Sequence, residues 1–324
     1  MKYLVTGASG FIGFYLCKEL LEDSNNLVVG IDNMNDYYDV SLKENRLKIL
    51  KEYPNFTFYK VDISDKRKLL KIFEKGKFDV VINLAAQAGV RYSIDHPDCY
   101  INSNVLGFYN ILEACRKYPV KKLLFASSSS VYGNNKKIPY KTTDMVDTPV
   151  SLYAATKKSN ELMAYSYSNL YNIPVVGLRF FTVYGPMGRP DMAYYLFTKR
   201  IMNDEQIRVF NNGDMYRDFT YIDDAIDGIM ALVSIEIPSD QNGVKYKIYN
   251  IGNNNPVKIS KFIEILENLI GKKAKKEFLP MQDGDVYKTY ADIGELTKDT
   301  GFEPQTPIEE GLEKFVKWYK KYYK

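Results

Sequence analysis

A glycine-rich loop at the start of the chain constrains the fold more than any other stretch. Residues 2–6 are mostly apolar and predict a buried strand, which leads directly into a loop with the spacing G-x-x-G-x-x-G. The first glycine permits a tight turn, the second lets a phosphate approach the backbone, and the third lets the next helix pack on the strand. Amides at the start of that helix then face the phosphates. We therefore expect a dinucleotide site that includes Gly7, Gly10, Phe11, Ile12 and Gly13.

An acidic residue follows the second predicted strand. Residues 27–31 form an apolar run that ends at Asp32, roughly 20 positions beyond the glycine loop. A carboxylate at this place accepts hydrogen bonds from the adenosine ribose and repels a 2′-phosphate. Asn33 follows, and we expect no arginine nearby to hold such a phosphate. These residues favour NAD over NADP as the cofactor.

Predicted strands and helices alternate through the first part of the chain. Apolar runs at 56–61, 78–82, 122–126 and 175–181 predict strands, with helices between them. Such alternation with short links predicts a doubly wound parallel sheet, which binds ligands at the carboxyl ends of its strands. Further residues that directly follow strands are expected to contact the cofactor: Asp62, Ile63, Leu84, Ala85 and Ala86.

The pattern changes in the later part of the chain. Beyond about residue 190 the alternation becomes irregular and the elements become shorter. We expect an α/β protein with an NAD-binding Rossmann domain over residues 1–185 and a smaller mixed α/β lobe over residues 186–324. Part of this later chain is expected to return to the sheet. An amphipathic helix is predicted near residues 308–322.

The sequence Tyr153-Ala154-Ala155-Thr156-Lys157 provides a candidate acid–base pair. It lies in a predicted helix over residues 151–171, in which residues four positions apart share a face. A lysine ammonium beside a phenol favours the phenolate and lowers the pKa of the phenol from about 10. Such a phenol can take a proton from a sugar hydroxyl and return it. Taken alone, the same spacing also fits a surface tyrosine and lysine on an ordinary helix.

Composition disfavours several other classes of protein. The net charge is +4 over 324 residues and the basic residues are dispersed, which gives no indication of nucleic-acid binding. No apolar run is long enough to span a membrane and the chain begins with a predicted strand, so we expect a cytoplasmic protein. Three widely spaced cysteines indicate a reducing compartment. His96 is the only histidine, which disfavours a Ser-His-Asp hydrolase and a histidine metal site, and we expect no metal.

Several motifs together resemble one enzyme family. The glycine loop, Ser128, Tyr153 and Lys157 resemble the extended short-chain dehydrogenase/reductases that act on nucleotide sugars. Within that family, four stretches resemble the UDP-glucuronate 4-epimerases: residues 84–93, 126–133, 185–193 and 217–224. The resemblance covers nearly the whole chain.

The chain departs from the pattern of this subgroup at three positions. The subgroup usually carries Trp where Met187 stands, and Pro where Asp283 and Tyr287 stand. These positions fall near the expected sugar-nucleotide pocket, so the identity of the sugar is less constrained than the class of reaction.

The resemblance implies a 4-epimerase mechanism with NAD as the cofactor. Tyr153, as a phenolate, takes the proton of the sugar 4-hydroxyl, Ser128 shares that hydrogen bond, and Lys157 holds the nicotinamide ribose. Hydride leaves C4 for NAD and returns to the other face of a 4-keto sugar. The resemblance also implies that further residues contact the UDP-sugar: Arg91, Ser128, Ser129, Thr182, Arg189, Val209, Arg217 and Asp285. The helices near 97–118 and 151–171 are implied to pair across a two-fold axis in a homodimer.

Other activities differ from this one in identifiable residues. Nucleotide-sugar 4,6-dehydratases resemble this family but carry an acid pair where Ser129 and Ser130 stand, so dehydration is disfavoured. A silent NAD-sensing regulator that lost the Tyr–Lys pair is disfavoured because both residues are present. UDP-galactose 4-epimerase and UDP-glucuronate decarboxylase remain as alternatives. On the uronate, hydroxyl donors such as Thr182 anchor the carboxylate, and Arg189 either supports them or forms an ion pair with Asp191.

Overall fold

The chain packs as two compact units in a computed structural model that describes residues 1–281 and 286–324. The first unit comprises residues 1–135, 142–180 and 229–249, and the second comprises residues 136–141, 181–228 and 250–324. The expected domain boundary after residue 185 stays a prediction. Asp283 and Asp285, which the sequence places in the sugar-nucleotide pocket, lie outside the described residues.

The strands of the described residues are numbered in chain order. They are β1 (Lys2–Thr6), β2 (Leu27–Asp32), β3 (Phe56–Lys60), β4 (Val80–Asn83), β5 (Lys122–Ser128), β6 (Val175–Phe180), β7 (Thr182–Tyr184), β8 (Gln206–Phe210), β9 (Tyr216–Tyr221), β10 (Tyr246–Ile251), β11 (Pro256–Lys258) and β12 (Lys275–Leu279).

The α-helices are numbered in the same way. They are α1 (Phe11–Glu22), α2 (Val40–Leu50), α3 (Lys66–Gly76), α4 (Tyr92–Asp95), α5 (Pro97–Tyr100), α6 (Phe108–Lys117), α7 (Leu152–Tyr171), α8 (Ala193–Met202), α9 (Ile222–Ser234), α10 (Ile259–Ile270), α11 (Gly294–Thr300) and α12 (Ile308–Tyr322). The last of these coincides with the helix predicted at residues 308–322.

A seven-stranded sheet carries the candidate cofactor residues. Its strand order is β10-β6-β5-β4-β1-β2-β3, and β1 lies parallel to both β2 and β4. The order of the first six strands, β3-β2-β1-β4-β5-β6, is that of a Rossmann sheet. The strand order reverses between β1 and β4, and the strands themselves stay parallel. The predicted doubly wound fold is therefore confirmed. Because ligands bind where the strand order reverses, the loops after β1 and β4 form the expected cofactor cleft.

Apolar side chains cover the faces of this sheet. Leu4, Val81, Leu123 and Val175 lie on four neighbouring strands and are fully or almost fully buried. Helical side chains such as Phe108 pack against them in one cluster. Strands that are covered on both faces have continuous apolar sequences rather than alternating ones, which is why the sequence pattern identified them.

The long helix expected near residues 97–118 is not one regular helix. It consists of α5, a π-helical segment over Ile101–Gly107, and α6. A π-helix uses hydrogen bonds five residues apart and frequently occurs at functional sites. Side-chain periodicity does not distinguish such a segment from an α-helix, so the sequence did not indicate it. The segment ends at Gly107, where an added Cβ would lie 2.6 Å from the Ile63 side chain.

The second unit is built from smaller sheets. In a three-stranded sheet, β9 lies parallel to β7 and antiparallel to β11, and in a two-stranded sheet β8 lies parallel to β12. Helices α8 and α12 meet through aromatic side chains, as Tyr194 contacts Phe315 edge to face at a centroid distance of 4.9 Å. This arrangement confirms the smaller mixed α/β lobe.

None of the helices in the described residues is both long and apolar enough to cross a membrane. No group of three or more His, Cys, Asp and Glu side chains within the described ranges is arranged to hold a metal ion.

Candidate active site

The glycine loop after β1 is packed too closely for side chains at two of its positions. Gly7 has a φ of +71°, and an added Cβ would lie 2.9 Å from the backbone nitrogen of Ala85 in the loop after β4. An added Cβ at Gly13 would lie 2.0 Å from the carbonyl oxygen of Gly7. Helix α1 therefore begins directly against the loop. Its first turn has no side-chain cap among the described residues, so the amides at the start of the helix are suited to bind a phosphate.

Asp32 is buried at the end of β2 and organises the adenosine side of the cleft. Its carboxylate accepts hydrogen bonds from the amides of Ser9, at 3.1 Å, and Met34, at 2.8 Å. The side chain of Asn33 donates to Asp62 at 2.8 Å. Burial raises the pKa of Asp62, but the hydrogen bonds from Asn33 and Ser64 outweigh this effect and lower it overall. These hydrogen bonds hold both carboxylates at the ends of their strands, where the sequence predicts contacts with the cofactor.

An arginine from α2 lies beside this site. Arg46 on α2 is fully buried, and its Nη1 donates to the carbonyl oxygen of Ser9 at 2.9 Å and to the hydroxyl of Tyr38 at 2.8 Å. The expectation that no arginine stands nearby to hold a 2′-phosphate stays a prediction. In the sequence Arg46 is one basic residue in a largely polar helix, and only the packing of α2 brings it to Ser9. Because Nη1 donates to these two oxygens, we read Arg46 as a support of the loop.

The loop after β4 is fastened to β1 and to the π-helical segment. Thr6 donates its hydroxyl proton to the Asn83 side chain at 2.7 Å and accepts the amide of Ala85 at 3.1 Å. Asn104, in the π-helical segment, accepts the amide of Gln87 at 2.8 Å and donates back to its carbonyl oxygen at 3.0 Å. These bonds hold residues 84–87 in place. Asn104 was not identified from the sequence, where it is one polar residue in a helical run.

Lys157 and Tyr153 lie on the same face of α7. The Nζ atom of Lys157 lies 5.9 Å from the centroid of the Tyr153 ring and donates to the carbonyl oxygen of Ala126 at 2.8 Å. Lys157 is only 2% exposed, and this burial lowers its pKa to about 7. Tyr153 also packs edge to face against Tyr100 at a centroid distance of 6.0 Å. Tyr100 in turn donates its hydroxyl proton to the carbonyl oxygens of Ala88 and Gly89.

The serine run at the end of β5 forms a short turn. Ser128 caps a 3-10 helix over Ser129–Tyr132. The hydroxyl oxygen of Ser128 accepts hydrogen bonds from the Ser130 amide, at 3.2 Å, and from the Ser130 hydroxyl, at 2.9 Å. Ser128 and Ser129 are both partly exposed. The Ser128 hydroxyl therefore keeps its own proton available for a ligand.

The remaining candidate substrate residues are distributed over several elements. In the first unit, Arg91 is exposed directly before α4. In the second unit, Thr182 begins β7, and Val209 is buried in β8. The guanidinium of Arg189 forms two hydrogen bonds with Asp191, at 3.1 and 2.6 Å. The ion pair that the sequence left open for Arg189 is therefore present.

Arg217 lies in β9 beside a buried carboxylate. Its Nη1 donates to the carbonyl oxygens of Tyr216, at 2.9 Å, and Tyr287, at 3.4 Å. The neighbouring Asp218 is fully buried and accepts the amides of Asn253, at 2.7 Å, and Ala291, at 2.9 Å. Burial raises the pKa of Asp218 to about 6, although these amides oppose the shift. Asp218 thereby fixes two loops of the second unit around β9.

Comparison with known proteins agrees with this geometry. The sequence profile of the NAD dependent epimerase/dehydratase family matches residues 3–252. The chain belongs to this family. NAD is therefore its cofactor, and it is an NAD-dependent nucleotide-sugar enzyme of the extended short-chain dehydrogenase/reductase group.

Individual members of the family are similar over the full length. The chain is 52% identical to protein CapI of Staphylococcus aureus over 100% of both sequences. It is 44% identical to a probable UDP-glucuronate 4-epimerase of Rhizobium meliloti, over 100% of this chain and 98% of that protein. A crystal structure of UDP-glucuronic acid 4-epimerase from Bacillus cereus, in complex with UDP-glucuronic acid and NAD, superposes with a TM-score of 0.90 at 37% identity over 100% of both chains.

Two atoms in the first unit show that the family cofactor fits the cleft. The hydroxyl of Ser9 is buried in the glycine loop and has no hydrogen-bond partner among the described residues. The buried ammonium of Lys157 has three donors, and within residues 1–281 and 286–324 its one hydrogen-bond acceptor is Ala126. Buried donors need acceptors, and the phosphates and ribose hydroxyls of NAD supply them.

Replacing Ser9 by alanine should change cofactor binding and stability in opposite directions. Ser9→Ala removes a buried unpartnered hydroxyl, so the free energy of unfolding of the cofactor-free protein should stay equal or rise by up to about 1 kcal/mol. Its unfolding temperature should accordingly be equal or higher. The same change removes a donor to NAD, so less NAD should remain bound after gel filtration. Both values are measured by calorimetry and by quantifying the nucleotide released on denaturation. Unchanged NAD content in Ser9→Ala would contradict the assignment of this hydroxyl to the cofactor.

The lowered pKa of Lys157 predicts how stability depends on pH. Between about pH 7 and the ordinary lysine pKa of about 10.4, the unfolded chain binds a proton that the folded chain does not, so stability should rise with pH. One proton gives a slope of at most about 1.4 kcal/mol per pH unit. Lys157→Met keeps the length of the side chain and removes this contribution.

The comparison uses cofactor-free protein in urea at several pH values between 6 and 10. The free energy of unfolding of Lys157→Met minus that of the wild type should be largest near pH 6. This difference should decrease as the pH rises. Lys121→Met, at an exposed lysine, is the matched control and should show no such trend. A difference that is constant across the range would mean that Lys157 keeps an ordinary pKa.

Proposed function

We propose that this enzyme interconverts UDP-glucuronate and UDP-galacturonate by epimerisation at C4. The observation that carries the proposal is the arrangement of Tyr153 and Lys157 on one face of α7, with Lys157 fastened to the end of β5 that also carries Ser128. The similarity to UDP-glucuronate 4-epimerases over the full length supports the choice of the uronate.

Each of these three residues has a distinct role in the proposed reaction. Tyr153 removes the proton of the sugar 4-hydroxyl and returns it after the sugar has turned over. Ser128, whose oxygen already accepts two hydrogen bonds, donates its proton toward the same oxygen. Lys157 binds the nicotinamide ribose and stabilises the phenolate. NAD, when bound, supplies the reversible acceptance of the C4 hydride.

Residues of the serine turn argue against dehydration. Elimination of water from the sugar needs a carboxylic acid, which the related 4,6-dehydratases carry at the positions of Ser129 and Ser130. Neither hydroxyl can supply that acid at neutral pH. The chain therefore fits an enzyme that stops at the ketone and reverses the hydride transfer.

The carboxylate of the uronate is the group that separates epimerisation from decarboxylation. Oxidation at C4 produces a β-keto acid, which loses CO₂ when its carboxylate bond stands perpendicular to the carbonyl plane. An epimerase must hold this bond near the plane. We assign the anchoring to the neutral donors Ser129 and Thr182, because hydrogen bonds from hydroxyls can fix a carboxylate, whereas the single Ser128 proton is assigned to the 4-oxygen. Arg189 forms an ion pair with Asp191. We therefore assign it to stabilising its own loop and not to neutralising the substrate carboxylate.

Further contacts to the UDP moiety complete the proposal. We assign Arg91, Val209, Arg217 and Asp285 to the sugar nucleotide. Arg217 is the member of this group with the most suitable chemistry, because a half-buried guanidinium offers planar donors that match the oxygens of a phosphate.

A product assay tests the substrate and the reaction together. Purified protein is incubated separately with UDP-glucuronate, UDP-glucose and UDP-xylose, and the products are separated by chromatography. We expect UDP-galacturonate from UDP-glucuronate, with only a trace of UDP-pentose. Tyr153→Phe is the control, and it should lower turnover by about 10²- to 10⁴-fold. Thr182→Ala should raise the pentose fraction.

Two outcomes would overturn the proposal. Mainly UDP-xylose or a 4-keto pentose from the wild type would make the protein a decarboxylase. Conversion of UDP-glucose to UDP-galactose without conversion of the uronate would mean that the active site does not bind the carboxylate of a uronate.

The surface of two helices in the first unit supports a homodimer as part of this proposal. On α7, Leu162 and Leu170 are exposed by 58% and 65% and lie two turns apart on one face. The π-helical segment exposes Ile101 and Leu106 by 46% and 44%. Exposed apolar residues that recur along a helix are typical of a subunit interface, and a two-fold axis makes such a face complementary to itself.

A charge on this face should separate the subunits. Leu162→Glu places a carboxylate in the proposed interface, so light scattering at micromolar concentration should give the mass of a dimer for the wild type and of a monomer for the variant. Met145→Glu, at a residue that is 81% exposed outside these helices, is the control and should remain dimeric. A monomeric wild type would count against the interface.

A further inference from the structure

A buried ion pair lies behind the candidate catalytic residues. Arg179 on β6 and Glu161 on α7 form two hydrogen bonds, from Nε to Oε1 at 2.8 Å and from Nη2 to Oε2 at 2.9 Å. Their side chains are only 3% and 4% exposed. Neither residue belongs to the acid–base pair or to the cofactor loop.

The pair has further partners in the same unit. Glu161 Oε1 also accepts the hydroxyl of Ser127 at 2.6 Å. The Nη1 atom of Arg179 donates to the carbonyl oxygen of Thr142 at 3.3 Å, and its guanidinium lies 4.9 Å from the centroid of the Tyr132 ring. Both charges are therefore surrounded by groups that complement them.

Stability alone does not account for such a pair. Moving two charges out of water costs several kcal/mol for each ion, and apolar pairs of similar volume often serve a fold equally well. A buried ion pair does, however, fix one geometry, because a guanidinium and a carboxylate bind each other in a single planar arrangement.

The geometry fixed here is that of α7 against the end of β5. Consecutive residues of β5 hold successive turns of the helix, as Ala126 accepts Lys157 and Ser127 donates to Glu161. Arg179 lies directly opposite Ser127 in the parallel register of β5 and β6. The next residue of β5 is Ser128.

The pair also reaches the turn after Ser128. Tyr132, which lies under the Arg179 guanidinium, is the last residue of the 3-10 helix that Ser128 caps. Tyr153 and Ser128 are carried by different elements, and α7, β5 and this turn all contact the same two charges.

We propose that Arg179 and Glu161 are positioning residues that set the separation of the Tyr153 phenol and the Ser128 hydroxyl. This inference rests on the roles proposed above for Tyr153 and Ser128. A displacement of about 1 Å between groups that act on one proton can lower a rate by about 10²-fold. The pair should therefore matter for turnover and much less for the binding of substrate or NAD.

Three variants and one control test this inference. Glu161→Gln and Arg179→Lys keep the approximate size of the side chains and lose the bidentate pair of hydrogen bonds. The double variant Glu161→Met/Arg179→Met removes both charges and leaves neither one unpaired. Lys121→Gln breaks an exposed ion pair with Asp79 at the opposite end of the sheet and serves as the matched control. All are assayed on whichever of the three UDP-sugars the wild type converts, so that a wrong substrate assignment leaves the test intact.

The expected results separate positioning from stability. The single variants should lower kcat by about 10- to 100-fold, with KM and bound NAD changed by less than about two-fold. The double variant should recover the thermal stability of the wild type, because no charge is left unpaired, but not its kcat. Lys121→Gln should match the wild type in every value.

Two results would overturn the inference. Recovery of kcat together with stability in the double variant would make the pair a purely structural feature. Single variants that fold and keep the kcat of the wild type would show that the two charges do not set the catalytic geometry. If the single variants do not fold, the double variant alone decides between these outcomes.

Discussion

Buried polar groups need hydrogen-bond partners, and this requirement organises the carboxyl end of the parallel sheet. Thr6 joins the end of β1 to Asn83 and to the loop after β4, Asp32 joins the end of β2 to the glycine loop, and Lys157 joins α7 to the end of β5. Each bond satisfies a buried donor or acceptor and at the same time holds a neighbouring loop. The loops therefore form one framework, and the Ser9 hydroxyl is a buried group of that framework to which bound NAD would supply a partner.

The fold could be predicted from the sequence because its signals are local. Gly13 is required by its contact with the Gly7 carbonyl oxygen within one strand–loop–helix unit, and apolar runs identified the central strands. Residues whose role depends on distant parts of the chain were missed. Arg46 reaches Ser9 only through the packing of α2, and Asn104 binds Gln87 only because a π-helical segment turns it inward. No periodicity in the sequence marks either residue.

The second unit shows the same distinction between near and distant contacts. The pairing of Arg189 with Asp191 spans two positions, and the sequence had left it as an alternative. Asp218 accepts amides from Asn253 and Ala291, which lie far along the chain, so its role in holding two loops was not predictable. Strand β9 thus carries adjacent residues with different tasks. Asp218 faces inward and shapes the loops, whereas Arg217 binds backbone carbonyls and keeps its charge near the surface.

The lysine assigned to activate Tyr153 is itself disfavoured as a cation. Burial lowers the pKa of Lys157 to about 7, so its charge is not a fixed feature of the site at neutral pH. The two groups instead favour each other's ionised forms, because an ammonium near a phenol lowers the cost of the phenolate and the phenolate lowers the cost of the ammonium. This mutual effect is strong where water is excluded. In the proposed reaction, the contacts that keep the two side chains together, and not the lysine charge by itself, would therefore make the phenol a base.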